Sequence, residues 1–111
     1  MVSHAKLDAA YGKTHPGWQR YLGTGVEYKL FKEADLFRAL QVIALNGETI
    51  PDQFLKKALL EFAGIDSYQV ESKGNKGNYL VEQGVAKGGV ALTIYKKKGD
   101  LQIKAFVLYY R

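Results

Sequence analysis

The chain has 111 residues, of which 47% are apolar and 24% charged, and this composition is typical of a folded domain rather than a disordered segment. It contains no cysteine, which excludes a disulfide framework, a thiolate zinc site and a cysteine nucleophile. No apolar stretch is long enough to cross a bilayer, and the first residues lack the apolar region of a signal peptide. We therefore expect a protein of the cytoplasm, its own or that of a target cell, and no membrane partner.

The charge is unevenly distributed along the chain. The net charge is +5, but residues 1–71 carry eight Lys or Arg and nine Asp or Glu, whereas residues 72–111 carry eight and two. The C-terminal part is thus cationic, with a net charge of +6, and the rest is nearly neutral. Such asymmetry favours a polyanionic partner such as RNA or another nucleic acid, although a lysine-rich solvated surface gives the same pattern.

Three helices are predicted in the first part of the chain. Ser3 can cap a short helix over residues 3–11, which Gly12 ends, and His15-Pro16-Gly17 is typical of a turn. Alternation in residues 26–30 then indicates a short strand. Apolar residues at helical spacing predict a helix over 33–46, and a second stripe predicts one over 51–63 with Gly64 as its C-cap.

Four strands at hairpin spacing are predicted in the cationic part, over about 67–73, 77–83, 88–97 and 101–110. Turns at Gly74-Asn75, Gly84–Lys87 and Lys98-Gly99 would place one consistent apolar set on one face. The set is Tyr68, Val70, Tyr79, Val81, Val90, Leu92, Ile94, Leu101, Ile103, Ala105 and Val107. The prediction is a single α+β domain over residues 1–111, with N-terminal helices packed on one face of a four-stranded antiparallel β-meander. The start of the chain in a capped helix, without a leader, is also compatible with an excised C-terminal domain of a larger protein.

The other face of this meander is a candidate platform for nucleic acid. Sheets that bind single strands combine rings, on which bases stack, with cations that neutralise phosphates. Tyrosine and phenylalanine are also ordinary strand residues, and Phe106 and Leu108 could instead pack under residues 12–24. Lysine-rich loops add to the basic surface, and Lys73, Lys76 and Lys98 should share one end of the meander, with Lys87 at the other. The candidate binding residues are Lys73, Lys76, Tyr95, Lys96, Lys97, Lys98, Lys104, Phe106, Tyr110 and Arg111.

The N-terminal segment holds the residues suited to metal-independent RNA cleavage. Such cleavage needs a base, an acid and a cation beside the phosphate, and histidine can serve in either proton-transfer role. His4, His15, Lys13 and Arg20 could supply these groups, although a histidine near a chain end or in a turn is commonly only solvent-exposed. The two histidines make a poor metal site, no nucleotide-triphosphate loop is present, and we expect no cofactor.

Helices followed by a four-stranded antiparallel meander on a small basic chain form a layout that resembles the small bacterial ribonuclease toxins of the barnase, colicin and RelE kind. The resemblance covers roughly residues 33–110 and implies RNA-directed cleavage, with an acidic immunity protein as a further partner. No catalytic residue is carried over, because no motif matches residue by residue. Two alternatives remain open: a nucleic-acid-binding module without catalysis, and a protein-interaction domain that docks on an acidic regulatory partner.

Overall fold

The computed structural model describes residues 6–23, 25–34, 36–45, 47–64 and 67–110. One antiparallel sheet of eight strands dominates it, with two short helices. The elements in chain order are β1 Lys6–Leu7, α1 Ala9–Thr14, β2 Trp18–Gly23, β3 Val26–Glu33, β4 Leu36–Ala44, α2 Asp52–Ala63, β5 Gln69–Lys76, β6 Tyr79–Ala86, β7 Val90–Lys97 and β8 Ile103–Tyr110.

The sheet consists of two meanders joined in the middle. Its strand order is β1-β2-β3-β4-β8-β7-β6-β5, so the last strand of each meander pairs with the other. The connection through α2 carries the chain from central strand β4 to edge strand β5. Two edges of very different length result: β1 has two residues, whereas β5 has eight.

The hydrophobic core lies between α2 and one face of the sheet, which we call the helix face. Leu55, Ala58 and Leu59 of α2 are buried there. The sheet contributes a larger set of buried side chains, which come from β3, β4, β6, β7 and β8: Tyr28, Leu40, Val42, Ala86, Val90, Leu92, Ile94, Ile103, Phe106 and Leu108. The other face of the sheet, which we call the open face, is partly covered by α1 at β2 and β3.

The predicted architecture of N-terminal helices on a four-stranded meander is wrong. The segment predicted as a helix over 33–46 forms β4, paired with β3 on one side and β8 on the other. Val42 and Leu40 face α2, while Gln41 and Ile43 lie on the open face. Apolar residues therefore occur on both faces of a central strand, and such a run also satisfies helical spacing. With this layout the resemblance to the ribonuclease toxins no longer stands.

The predicted register of β7 and β8 is also wrong. Ile94 pairs with Phe106 rather than Ile103, because the turn spans Lys98–Leu101 and the register shifts between Tyr95 and Lys96. Ile103 and Phe106 both point into the core across this irregularity. Consequently Ala105 and Val107, predicted to face the helices, lie on the open face.

The β5–β6 turn lies three residues later than predicted. Lys76 pairs with Tyr79 across Gly77-Asn78, and Gly77 has a φ of 59°. This odd shift puts Tyr79 and Val81 on the open face and Glu82 on the helix face. The β6–β7 turn contains Lys87, Gly88 and Gly89.

Several elements were predicted correctly. Helix α2 ends at Gly64, whose φ of 74° is the left-handed conformation of a C-cap. The four C-terminal strands, the strand around Tyr28 and the turn at Gly17 are also present. The first helix starts at Ala9 rather than residue 3, and its proposed cap lies outside the described residues. Within the part of the chain that the structure describes, no helix is long and apolar enough to span a bilayer.

Candidate nucleic-acid interface

The corrected registers bring two tyrosines and two lysines together on the open face. Lys76, Tyr79 and Lys97 lie side by side in one cross-strand row over β5, β6 and β7. The next row contains Val81 and Tyr95. We call the set Lys76, Tyr79, Tyr95 and Lys97 the tyrosine–lysine face.

The rings of this face contact each other edge to face. The centroids of Tyr79 and Tyr95 are 6.4 Å apart with an interplanar angle of 87°. Tyr79 is 41% exposed, so part of its ring surface remains accessible. Gly74 of edge strand β5 lies opposite Val81 and carries no side chain, and a shallow depression of about 320 Å³, lined also by Tyr95, opens there. A planar base could stack on such a ring while the neighbouring ammonium groups bind phosphates.

Basic loops add charge at one end of the sheet. The Lys98 amide donates a hydrogen bond to the Asn78 carbonyl (3.1 Å), which brings the β5–β6 and β7–β8 turns together. Lys76 and Lys98 therefore lie at the same end, as predicted, and Lys87 lies in the turn at the opposite end, whereas Lys73 lies within β5 opposite Glu82 rather than in a loop. The prediction is confirmed for Lys76, Lys98 and Lys87 and is wrong for Lys73.

Two of the predicted phosphate-binding lysines lie on the helix face instead. The Nζ of Lys96 is 3.0 Å from a carboxylate oxygen of Glu82, and that of Lys73 is 3.5 Å from the other oxygen. Glu82 is buried, and the two ammonium groups compensate the cost of burying its charge. Lys104 lies at the register shift and donates a hydrogen bond to the carbonyl of Glu48. These three lysines have structural contacts and do not join the tyrosine–lysine face.

Two of the predicted stacking residues are also on the helix face, which corrects their assignment. Phe106 is fully buried, and its ring centroid is 6.4 Å from that of Phe54 in α2. The Tyr110 ring stacks on Phe62 at 5.2 Å, and its hydroxyl donates a hydrogen bond to the Phe62 carbonyl (3.2 Å). Burial beneath α2 excludes Phe106 as a platform for bases, and Tyr110 is committed to packing the helix.

The N-terminal candidates gather around one ring, that of Tyr11 in α1. The imidazole of His15 stacks on it with centroids 3.9 Å apart, and its Nδ1 is 3.0 Å from the Tyr11 carbonyl oxygen. The guanidinium of Arg20 lies 5.8 Å from the same ring centroid. Lys13 is exposed in the last turn of α1. His4 and Arg111 lie outside the described residues.

Arg20 is held by two carboxylates. Its Nε donates a hydrogen bond to Glu27 (2.7 Å) and its Nη1 donates one to Asp8 (2.9 Å). These contacts, led by the hydrogen bond to Glu27, raise the pKa of Arg20 above its ordinary value. A guanidinium bound to two carboxylates is a poor ligand for a phosphate, because one of those contacts must first break.

Glu27 is the buried centre of this cluster. Burial acts to raise its pKa, but the hydrogen bond from Arg20 and the nearby charge of Lys29, whose Nζ is 3.4 Å away, outweigh burial, so the pKa lies below its ordinary value. The group is thus an ionised structural anchor that joins β2 to β3. No cluster of three potential metal-binding side chains occurs in residues 6–23, 25–34, 36–45, 47–64 and 67–110.

Sequence reasoning missed Tyr79 and Glu27 as site residues. Tyr79 was assigned to the buried face, although the Gly77-Asn78 dipeptide before it is itself a two-residue turn signal. Glu27 alternates with the core residues Val26 and Tyr28 and carries no motif. The pair of Glu27 and Arg20 is recognised only from their contact across the β2–β3 hairpin, for which the sequence carries no signal.

Comparisons with known proteins add little to this geometry. No protein-family model matches the chain, and no curated protein matches it. Among solved structures, it is similar to a cysteine-rich secretory protein from Staphylococcus aureus, with a TM-score of 0.42 and 10% sequence identity. The match covers 86% of this chain and 37% of that protein. The chain therefore spans little more than a third of the length of that secretory protein.

Proposed function

We propose that this protein binds single-stranded nucleic acid, in particular RNA, through the tyrosine–lysine face. The observation that carries the proposal is the row Lys76–Tyr79–Lys97, in which a ring is flanked on both neighbouring strands by an ammonium group. Stacking on a ring and contact with phosphate are thereby available within one strand spacing of each other, about 5 Å. Because RNA is present in every cytoplasm, we propose that the protein acts in the cytoplasm of its own cell or of a target cell.

The distribution of charge supports this proposal. The four residues of the tyrosine–lysine face belong to residues 72–111, whose net charge is +6. Lys98 and the backbone of the β5–β6 turn lie at the same end of the sheet. A negatively charged strand passing over this end would release counterions as its phosphates are neutralised, so its affinity should depend on salt.

The experiment is a titration of a fluorescein-labelled 12-nucleotide single-stranded RNA, followed by fluorescence anisotropy over a series of NaCl concentrations. We expect Tyr79→Ala to weaken binding by about 5- to 150-fold, the equivalent of one stacked base. Lys97→Glu should weaken it and flatten the salt dependence, because fewer counterions are released. Unchanged affinity in both variants would contradict the proposal.

Lys56→Glu is the matched control. Lys56 is exposed on α2, on the helix side of the sheet, and its reversal changes the net charge by the same amount as Lys97→Glu. It should leave the affinity nearly unchanged. Equal loss in both charge-reversal variants would show that net charge alone, rather than this face, attracts the RNA.

A second candidate function is metal-independent RNA cleavage, which the position of His15, exposed and stacked on Tyr11 close to Lys13, favours. In this arrangement His15, the residue that follows α1, would take the proton of the 2′-hydroxyl as its oxygen bonds to phosphorus and return it to the 5′-oxygen as the P–O5′ bond breaks. The exposed Lys13 in the last turn of α1 would be the cation beside the phosphate. Incubation of total RNA with the protein in EDTA tests the proposal. Cleavage that His15→Ala abolishes would support it, and intact RNA at micromolar protein would eliminate it while leaving the binding proposal in place.

A further inference from the structure

We propose that edge strand β5 accepts an extended acidic peptide as a ninth, antiparallel strand. This interaction concerns the edge of the sheet and does not depend on nucleic acid binding to its open face. The peptide would pair with residues 72–76, the part of β5 that follows the register shift between Val70 and Ser72.

The two edges of the sheet differ in the number of backbone groups that they offer for pairing. At one edge, the described part of the chain contributes only the two residues of β1, and α1 follows directly, so within the described residues few backbone groups remain for pairing. At the other edge, all eight residues of β5 are exposed. Because alternate residues of an antiparallel edge strand direct their N–H and C=O groups away from the sheet, β5 presents a template for another strand.

The two lysines of β5 favour a partner with acidic side chains. Lys76 points to the open face beside Tyr79, and Lys73 points to the helix face, where its side chain is still 63% exposed. Lys98 lies at the same end of the sheet. An extended partner with acidic residues opposite these lysines would have a favourable charge on both faces.

A second copy of this chain fits the edge poorly. If residues 72–76 of two copies paired antiparallel about Gly74, the two Lys73 side chains would be diagonal neighbours on one face, and no acidic residue would lie opposite any lysine. Like charges on neighbouring strand positions are destabilising. The partner is therefore a chain of opposite charge rather than another copy.

Gly74 adds a requirement for one large side chain. A Cβ at this position would meet nothing within 4 Å, and the adjoining depression is lined by Val81 and Tyr95. A cross-strand aromatic residue commonly covers an edge glycine. In an antiparallel partner, four successive residues would lie opposite Lys76, Asn75, Gly74 and Lys73. The first and fourth of them should be acidic, the third aromatic, and the second can be any residue. The aromatic ring then lies on the open face, because it is opposite Gly74.

The test uses the intact protein and the fluorescein-labelled peptide acetyl-Thr-Glu-Thr-Tyr-Glu-Thr-amide, followed by anisotropy and by amide hydrogen exchange. We expect saturable binding, and slower exchange of β5 amides in the complex. Lys76→Glu should weaken binding about tenfold or more, whereas Lys57→Glu on α2 should not.

The same peptide with N-methyl groups on alternate residues distinguishes strand pairing from simple charge attraction, because it keeps its side chains but loses backbone donors. Its failure to bind would support strand addition. Equal binding of the methylated peptide, no binding of the parent peptide, or a dimer of the free protein that buries β5 would each overturn the proposal.

Discussion

Gly84→Ala should loosen edge strand β5 while the rest of the sheet keeps its structure. A Cβ at this position would collide with the carbonyl oxygen of Gln69, and it would lie 3.0 Å from the carbonyl carbon and 3.2 Å from the Cα of Val70. All three contacts are with backbone atoms, so no side-chain rotation relieves them. The strand must instead move by a large fraction of an ångström at the register shift that follows Val70.

The expected cost is that of overpacking, about 1–3 kcal/mol of the free energy of unfolding. Because β5 is an edge strand that pairs with β6, part of this cost should appear as local opening of β5. The control is Gly74→Ala on β5, where the added methyl group meets nothing within 4 Å. Reduced backbone entropy of the unfolded chain should stabilise this control by about 0.4–1 kcal/mol.

Urea denaturation followed by circular dichroism measures the global free energy of unfolding, and amide hydrogen exchange measures the opening of β5. We expect Gly84→Ala to lower the urea midpoint and to accelerate exchange in residues 69–76, whereas the control slows it or leaves it unchanged. A Gly84→Ala protein as stable as the control, with unchanged exchange in β5, would refute the close approach of β5 and β6 at this point.

Three further substitutions test other parts of the structure. The ion pairs of Glu27 stabilise the fold fully above its ordinary pKa of 4.5, and this contribution is lost as the pH falls through its lower folded pKa. Glu27→Gln should therefore cost about 1–3 kcal/mol at pH 7, and the cost should shrink as the pH is lowered below 4.5, in urea titrations over a pH series; a cost that does not depend on pH would contradict the ion-pair reading. Phe106→Ala should cost about 3–5 kcal/mol in the same assay, because the ring is fully buried against Phe54; a cost below 1 kcal/mol would contradict its place in the core. Leu101 is exposed and has a φ of 58°, so Leu101→Gly should raise the thermal midpoint; a lowered midpoint would contradict the turn geometry.

Sequence reasoning identified α2 and the C-terminal strands because their signals are local. Pro51 lies just before the helix, Gly64 just after it, and one apolar stripe lies between them. The segment of β4 has no comparable local signal, since its apolar residues serve both faces of a central strand. Its identity follows from pairing with β8, a strand more than sixty residues away in the sequence, which local periodicity does not record.

The face of the C-terminal strands was assigned incorrectly for a related reason. Two Gly-Asn dipeptides, at 74–75 and 77–78, are equally suited to a turn, and they are an odd number of residues apart. The first keeps Tyr79 and Val81 inside, which is the more apolar choice. The structure uses the second, because Glu82 can be buried with Lys73 and Lys96, and because Gly84 allows the close approach of β5.

The candidate site shows the same limit. A basic and aromatic surface on the C-terminal strands was predicted, but only Lys76, Tyr95 and Lys97 of its proposed members lie on the tyrosine–lysine face. Phe106 and Tyr110 were placed on the wrong side because the irregularity at Lys104 reverses the alternation of β8. Composition therefore indicated the chemistry of the surface, whereas register decided which residues form it.

The most direct test of the central claim is a map of amide chemical-shift changes in the ¹⁵N-labelled protein on titration with single-stranded RNA. The account predicts that the largest changes cluster at Lys76, Tyr79, Tyr95 and Lys97, and that residues of α2 between Asp52 and Ala63 change little. Changes concentrated on α2, or spread evenly over every exposed lysine, would contradict recognition by this face.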